Sequence, residues 1–146
     1  MDVDVTMTAD IRRPRREVAA FAMDPENVPA WYANIRVVEV LTERPLSAGS
    51  RMRFVAAFLG RTLDYTYEVT ELVPGERLTM STTSGPFPMT TTYSFEDLAT
   101  GTTRMTMRNH GLPSGFGALA APVLRRAMQR AMAKDLRRLT RLLEAR

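Results

Sequence analysis

The middle of the sequence consists of short β-type segments separated by glycine and proline turns. The turn signals include Gly60, the pair Pro74-Gly75, and Gly101, residue types that either fix or free the backbone torsion φ. Links this short join antiparallel neighbours, because a parallel pair needs a long crossover connection. We therefore predict six consecutive antiparallel strands, near residues 35–43, 51–59, 62–73, 77–83, 89–96 and 102–110.

The N-terminal segment predicts a further strand followed by two short helices. Apolar and polar residues alternate from Val3 to Ile11, which is the period of a half-buried strand. Pro14 fits the first turn of a helix over about residues 14–23, since the missing N–H of proline costs nothing there. Asp24 and Pro25 fit the N-cap and first position of a second helix. The predicted order is one strand, two short helices, six strands and a final helix.

The last segment has helical periodicity. Ser114 is a candidate N-cap, while Pro122 either kinks the helix or marks its start. About 24 helical residues would reach roughly 36 Å, so this helix must pack across the whole sheet. The apolar positions predicted to face the sheet are Val123, Ala127, Ala131, Leu139, Leu142 and Leu143.

Composition predicts one globular domain in a reducing compartment. The chain has 146 residues, of which 45% are hydrophobic and none is cysteine. This length suits a single domain over residues 1–146, and the lack of cysteine excludes disulfides, thiolate metal sites and a cysteine nucleophile. The start of the chain is acidic where a secretion signal is basic and then apolar. No apolar run approaches the ~20 residues of a transmembrane helix, so we expect a cytoplasmic protein.

Positive charge is concentrated near the C-terminus. Residues 114–146 carry eight basic residues against Asp135 and Glu144, a balance of +6, which leaves −2 on the rest because the total is +4. We interpret the basic face of the last helix as solvated and predict no nucleic-acid binding, with contact to anionic lipid or an acidic partner as the alternative. This basic face comprises Arg126, Arg130, Lys134, Arg137 and Arg141.

Several local patterns, together with the element order, are typical of one superfamily. The patterns are Asp24-Pro25 with Pro29-Ala30-Trp31, the stretch 46–51 (LSAGSR), the stretch 69–78 (VTELVPGERL) and the stretch 101–104 (GTTR). Over nearly its whole length the chain resembles the START-like (SRPBCC) superfamily, and within it the bacterial polyketide cyclase/dehydrase and lipid-transport-like proteins. The resemblance implies an α+β helix-grip fold, in which a curved seven-stranded antiparallel sheet grips the last helix around a cavity. None of the patterns is a catalytic motif, and we expect no cofactor.

Strand parity independently favours a cavity between the sheet and the last helix. Bulky side chains share one face of the strands, and the helix opposite offers mostly alanine, so we predict a pocket of roughly several hundred Å³. A filled core is the alternative, because large and small residues can interdigitate. Trp31 would either gate the pocket mouth or seal a small satellite core. The other predicted ligand-binding residues are Phe54, Phe58, Tyr65, Tyr67, Met80, Tyr93, Phe95, Met105, Met107, Asn109, Ala127 and Ala131.

No catalytic or metal-binding constellation is apparent. His110 is the only histidine, and its parity is opposite to that of Asn109, so it faces away from the predicted pocket. A metal site would need further ligands, and neither a phosphate loop nor a nucleophile elbow is present. The polar groups expected in the pocket are tyrosines, threonines and one asparagine.

The sequence is compatible with three functions. The first is binding of a small hydrophobic molecule, a lipid or a polyketide-like metabolite. The second is a cyclase/aromatase or dehydratase that acts in the same cavity, and the third is an interaction or regulatory protein with a filled core. An acid/base pair inside the cavity would favour an enzyme, and its absence from the predicted lining favours binding. A homodimer is possible, but the sequence does not indicate the oligomeric state.

Overall fold

The computed structural model describes residues 3–84, 88–111 and 121–146. The helical elements are α1 (Arg15–Ala22), a 3-10 turn (Pro25–Asn27), α2 (Val28–Trp31) and α3 (Ala121–Glu144). The strands are β1 (Val3–Ile11), β2 (Ile35–Val40), β3 (Arg51–Phe58), β4 (Arg61–Val73), β5 (Arg77–Ser84), β6 (Met89–Ala99) and β7 (Thr102–Gly111).

These strands form one antiparallel sheet in the order β1-β7-β6-β5-β4-β3-β2. Neighbours in sequence are neighbours in the sheet from β2 to β7, as the short turns predicted, and β1 pairs with β7. The seven-stranded sheet curls around the long helix α3, so the predicted α+β helix-grip fold is confirmed. None of the helices in the described ranges combines the length and the hydrophobicity that a membrane span requires.

The turn between β4 and β5 follows from the sequence Pro74-Gly75-Glu76. Gly75 has a φ of 76°, a left-handed conformation that glycine adopts without steric cost. The Glu76 N–H closes the turn by donating to the Val73 carbonyl at 3.0 Å. The predicted hairpin is therefore confirmed, and it sets β4 and β5 side by side.

Several predicted elements differ from the structure at their ends: β6, for example, runs to Ala99 and not to residue 96. Two further differences have a visible physical cause. Asp24 caps the segment that follows, as expected, by accepting the Glu26 N–H at 3.0 Å, but this segment is a 3-10 turn that continues into α2. The second difference is β2, which ends at Val40 and not at residue 43. There the Arg51 N–H donates to the Thr42 hydroxyl at 3.1 Å, so a side chain replaces the backbone acceptor that a longer strand would supply.

The face that α3 buries is only partly the predicted one. Leu139 and Leu143 are buried as expected, but Val123 is 53% exposed and Leu142 is 39% exposed. The residues that directly follow the predicted Val123, Ala127 and Ala131 are buried instead, because leucine and methionine remove more apolar area from water than valine or alanine would. Residues 114–120, including the candidate N-cap Ser114, lie outside the described residues. The buried apolar positions of α3 are Leu124, Met128, Met132, Leu136, Leu139 and Leu143.

The outer face of the sheet carries ion pairs between neighbouring strands. Arg53 donates to both Asp64 carboxylate oxygens at 2.9 and 2.7 Å, and Arg108 contacts Asp4 in the same two-point manner. The side chains of Arg53 and Asp64 are 40% and 53% exposed. Exposed pairs of this kind contribute about 0–1 kcal/mol each, so the fold depends mainly on the apolar contact on the other face.

We expect the contact between α3 and the sheet to dominate stability. Leu139→Ala removes a side chain with 0% exposure and should lower the free energy of unfolding by about 2–5 kcal/mol, since a cavity remains. The matched control Leu142→Ala lies on the exposed side of the same helix and should change it by no more than about 0.5 kcal/mol. Urea denaturation measures both. Equal losses for the two variants would contradict the assigned orientation of α3.

Candidate ligand-binding cavity

A cavity of about 120 Å³ lies between the sheet and α3. It is smaller than the several hundred Å³ predicted, because methionines rather than alanines fill much of the helix face opposite the sheet. An engineered protein cavity of roughly 150 Å³ holds benzene, so this volume suits a molecule of about one ring. The predicted residues that line it are Phe54, Phe58, Tyr65, Tyr67, Met80, Tyr93, Met107, Asn109 and Ala131.

Four of the predicted ligand-binding residues lie outside this lining. Phe95 and Met105 face each other across β6 and β7 and pack within the apolar core. Ala127 is half-buried and lies outside the lining, although the next residue, Met128, contributes to it. Trp31 has 0% exposure and belongs to the same core cluster, so its position fits neither the predicted gate nor a separate satellite core.

The lining also contains polar residues that the sequence analysis did not select. The most important of these are Tyr32, Thr91 and Asp135. The lining also includes two apolar residues of α3 that were not predicted, Met128 and Met132. A sequence signal did exist for the aspartate. It follows Met132 by three residues, so it shares the buried stripe of α3, and a single acid in an apolar stripe is a polar group directed at the core.

One hydrogen-bonded chain of polar side chains crosses the wall formed by the sheet. The Tyr67 hydroxyl lies 2.6 Å from the Thr91 hydroxyl, which donates to Asn109 Oδ1 at 2.5 Å. Because the single Thr91 hydrogen is used toward Asn109, the Tyr67 hydroxyl must donate to Thr91. Burial raises the pKa of Tyr67 to about 12, so this phenol stays neutral near pH 7.

A second polar pair joins the segment after α2 to the sheet. The Tyr32 and Tyr93 hydroxyls share a short hydrogen bond, and burial raises the pKa of both phenols well above the ordinary value. The Trp31 ring supports this pair, with centroids 4.4 Å from Tyr32 and 5.6 Å from Tyr93. Trp31 Nε1 is buried without a hydrogen-bond partner within the described residues.

Tyr65 differs from the other tyrosines because its hydroxyl has no partner among the residues that the structure describes. Its ring lies 5.7 Å from Phe54 and 5.3 Å from Tyr67, the latter edge-on at 89°. Burial raises the pKa of Tyr65 well above the ordinary value. The neutral Tyr65 hydroxyl is therefore free to donate to a molecule in the cavity.

Asp135 places a carboxyl group in the cavity wall, where the sequence analysis expected only neutral polar groups. The residue is 3% exposed, and Oδ1 accepts the Ala33 N–H at 3.0 Å. Arg138 holds the same segment to α3 by donating to the Ala30 carbonyl at 2.9 Å. Burial raises the pKa of Asp135 to about 6, against the opposing effects of the Ala33 hydrogen bond and of the positive charges of Arg138 and Lys134. No ion pair to Asp135 exists within the described part of the chain.

His110 does not belong to this site. It lies on β7 between Asp4 on β1 and Thr90 on β6, with parity opposite to that of Asn109, as predicted. It is not part of the cavity lining.

The buried carboxyl predicts a measurable dependence of stability on pH. The folded-state pKa of about 6 lies above the ordinary 3.8, so folding favours the neutral form and stability is lost as pH rises from about 4 to about 6. Asp135→Asn keeps the acceptor for Ala33 but cannot ionise. We expect the free energy of unfolding of this variant, relative to that of the wild type, to increase by about 3 kcal/mol as the pH rises from about 4 to about 7. Urea denaturation at several pH values measures it.

Asp64→Asn is the matched control for this measurement. Arg53 lowers the pKa of Asp64 by hydrogen bonding, so Asp64 contributes stability above its unfolded pKa and loses it as pH falls. The free energy of unfolding of Asp64→Asn, relative to that of the wild type, should therefore decrease as the pH rises, whereas that of Asp135→Asn increases. A flat difference between Asp135→Asn and the wild type would show that the Asp135 carboxyl is not desolvated.

Solved structures share this fold over nearly the whole chain. A protein from Thermus thermophilus, TTHA0849, is 22% identical with a TM-score of 0.82, and the match covers 97% of each chain. A START superfamily protein from Mycobacterium smegmatis is 15% identical with a TM-score of 0.82 and the same coverage. The Zhui aromatase/cyclase from Streptomyces sp. R1128 is 17% identical with a TM-score of 0.82, covering 100% of this chain and 96% of that one. These identities show a common fold.

The family itself is shown by the sequence. No curated protein matches the chain, but the model of one protein family matches residues 2–144. This match confirms the predicted resemblance to the polyketide cyclase/dehydrase and lipid-transport-like proteins, and the START superfamily and aromatase/cyclase neighbours share its fold. The chain belongs to the family described as polyketide cyclase / dehydrase and lipid transport.

Proposed function

We propose that the protein binds a small hydrophobic molecule in the cavity between the sheet and α3. The observation that carries this proposal is a cavity whose largely apolar wall includes two polar atoms without protein partners. These atoms are the Tyr65 hydroxyl and Oδ2 of Asp135, neither of which has a hydrogen-bond partner within the described ranges. Ligand sites combine apolar walls with a few polar groups that orient the guest.

The wall can adapt to a guest larger than one ring. Five methionines contribute to it, half of the ten in the sequence, and methionine is unbranched and fills irregular spaces. A lipid or a polyketide-like metabolite would displace some of these side chains. The methionines in the lining are Met80, Met89, Met107, Met128 and Met132.

A filled-core interaction protein is the less favoured function. A space of about 120 Å³ without a ligand removes packing contacts from the residues around it. This loss is unfavourable in a protein that uses only its outer surface, whereas a bound molecule would restore those contacts.

Asp135 supports catalysis in the same cavity as the second candidate function. A carboxyl whose pKa is near 6 can exchange protons at neutral pH, and neutral phenols can stabilise the negative charge that develops on a carbonyl oxygen. The charge of Asp135 helps to raise the pKa of both Tyr32 and Tyr93, so an acid/base group and two phenols lie close together. This combination suits a cyclase or dehydratase that acts on a ketone.

We expect binding to depend on the free volume beside Ala131. Ala131→Phe should fill the cavity and abolish the rise in melting temperature that toluene produces in the wild type by mass action. Ala127→Phe is the matched control, because Ala127 lies on the same helix outside the lining, and it should leave that rise intact. Native mass spectrometry of the purified wild type should also show a co-purifying small molecule. No toluene effect on the wild type and no co-purifying molecule would overturn the proposal.

The catalytic candidate predicts proton exchange with a bound ketone. Phenylacetone carries one ring and acidic protons beside its carbonyl, and in heavy water the wild type should accelerate their replacement by deuterium, followed by proton NMR. Asp135→Asn should lose this acceleration, because removal of a general base typically costs about 10²–10⁴-fold. Asp64→Asn should keep it. Equal exchange rates with and without the wild-type protein would remove this candidate.

A further inference from the structure

The charge of the cavity differs from that of the chain as a whole. The sequence carries a net charge of +4, yet the lining contains no arginine, lysine or histidine among the described residues. Asp135 is its one charged side chain within those residues. An anion that enters the cavity would therefore meet a carboxyl group and no compensating cation, which disfavours carboxylates and phosphates.

The Asp135 carboxyl has one acceptor position open. Oδ1 accepts the Ala33 N–H at 3.0 Å, whereas Oδ2 accepts no hydrogen bond from the part of the chain that the structure describes. A buried carboxylate without a counter-ion is unfavourable, and a cation with hydrogens to donate compensates it most completely. The open oxygen thus favours a ligand that brings a positive charge.

Aromatic rings surround the same space. Phe54, Tyr65 and Tyr67 form a connected group with centroid distances of 5.3–5.7 Å. All four tyrosines of the sequence line the cavity, together with Phe54 and Phe58. The faces of aromatic rings attract an ammonium group, and this attraction is stronger where water is excluded.

We propose that the cavity selects small aromatic amines over neutral and anionic molecules of the same size, with Asp135 as the counter-ion of the ammonium group. This inference rests on the proposed function, because it names the ligand class of the same cavity. The apolar wall takes the ring of the ligand, and Oδ2 of Asp135 accepts a hydrogen bond from its ammonium group. The volume of about 120 Å³ limits the first ligands to test to a single ring.

Amine binding through Asp135 must depend on pH. Since burial raises the pKa of Asp135 to about 6, the carboxyl is mostly neutral at pH 5 and mostly ionised above pH 7, while a simple amine stays protonated throughout. Two cations and three phenols also act on the carboxyl. The phenols have raised pKa values and stay neutral in this range, and the cations lie outside the cavity lining. These groups are Lys134 and Arg138 on α3, Tyr32 after α2, Tyr65 on β4 and Tyr93 on β6.

The test uses three ligands that share one ring and differ in charge: benzylamine, benzyl alcohol and benzoate. Isothermal titration of the wild type at about pH 7.5 should give benzylamine at least about tenfold tighter binding than benzyl alcohol, with benzoate the weakest. Lowering the pH to about 5 should weaken benzylamine about tenfold, because roughly one tenth of the Asp135 carboxyl is then ionised. Benzyl alcohol should bind equally at both pH values.

Two variants test whether Asp135 causes the preference for benzylamine and its pH dependence. Asp135→Asn should bind benzylamine and benzyl alcohol with similar affinity at both pH values, and Asp64→Asn should behave like the wild type. If Asp135→Asn does not fold, the wild-type pH profile and the failure of Ala131→Phe to bind benzylamine test the same point.

The outcomes separate the two proposals. If benzyl alcohol binds as tightly as benzylamine, or if benzylamine affinity does not change with pH, the amine inference is wrong and the proposed function stands. Unchanged benzylamine binding to Ala131→Phe would place the amine elsewhere and also overturn the inference. If neither toluene nor any of the three ligands binds and no small molecule co-purifies with the wild type, both proposals fail.

Discussion

The apolar contact between α3 and the curled sheet is filled around Leu124 and around Leu139, which both have 0% exposure and lie outside the cavity lining, and it borders the cavity between them. Leu139 is completely buried, whereas Met132, two turns earlier, lines the cavity. Asp135 lies between these two residues, and its carboxyl accepts the Ala33 N–H, which docks the segment after α2 on the helix. The same docking brings Tyr32 into the lining. The polar part of the cavity therefore depends on how α2 is held to α3 as much as on the sheet.

The sheet could be predicted in detail because alternation and turn residues are local signals. Gly75 marks a turn by its own conformational freedom, and one face of each strand follows directly from the period of two. Parity therefore placed Tyr65 and Asn109 on one wall. Parity does not determine how far along a strand the cavity extends. For that reason the predicted site includes Phe95 and Met105, which pack in the core.

The helical wall was harder to predict, because a period of 3.6 leaves the phase of the stripe open when small residues and methionines compete for the same face. Choosing Ala127 rather than Met128 rotated the predicted face, so Met128 and Met132 were missed. Asp135 lies on the stripe in either phase, four residues after Ala131 and three after Met132. Tyr32 was missed for a different reason, since its position depends on long-range docking of α2 onto α3 and not on a local pattern. Both errors concern residues whose surroundings are built from segments far apart in the sequence.

The cavity and its carboxyl impose costs on the same region of the molecule. Unfilled volume removes packing contacts, and desolvation of Asp135 raises its pKa, which means that the ionised form destabilises the fold at neutral pH. A ligand that filled the space and offered a hydrogen-bond donor to Oδ2 would relieve both. Its binding free energy would then include the relief of these two costs in addition to its own contacts. A site of only about 120 Å³ can therefore hold a small molecule more tightly than its contact area alone suggests.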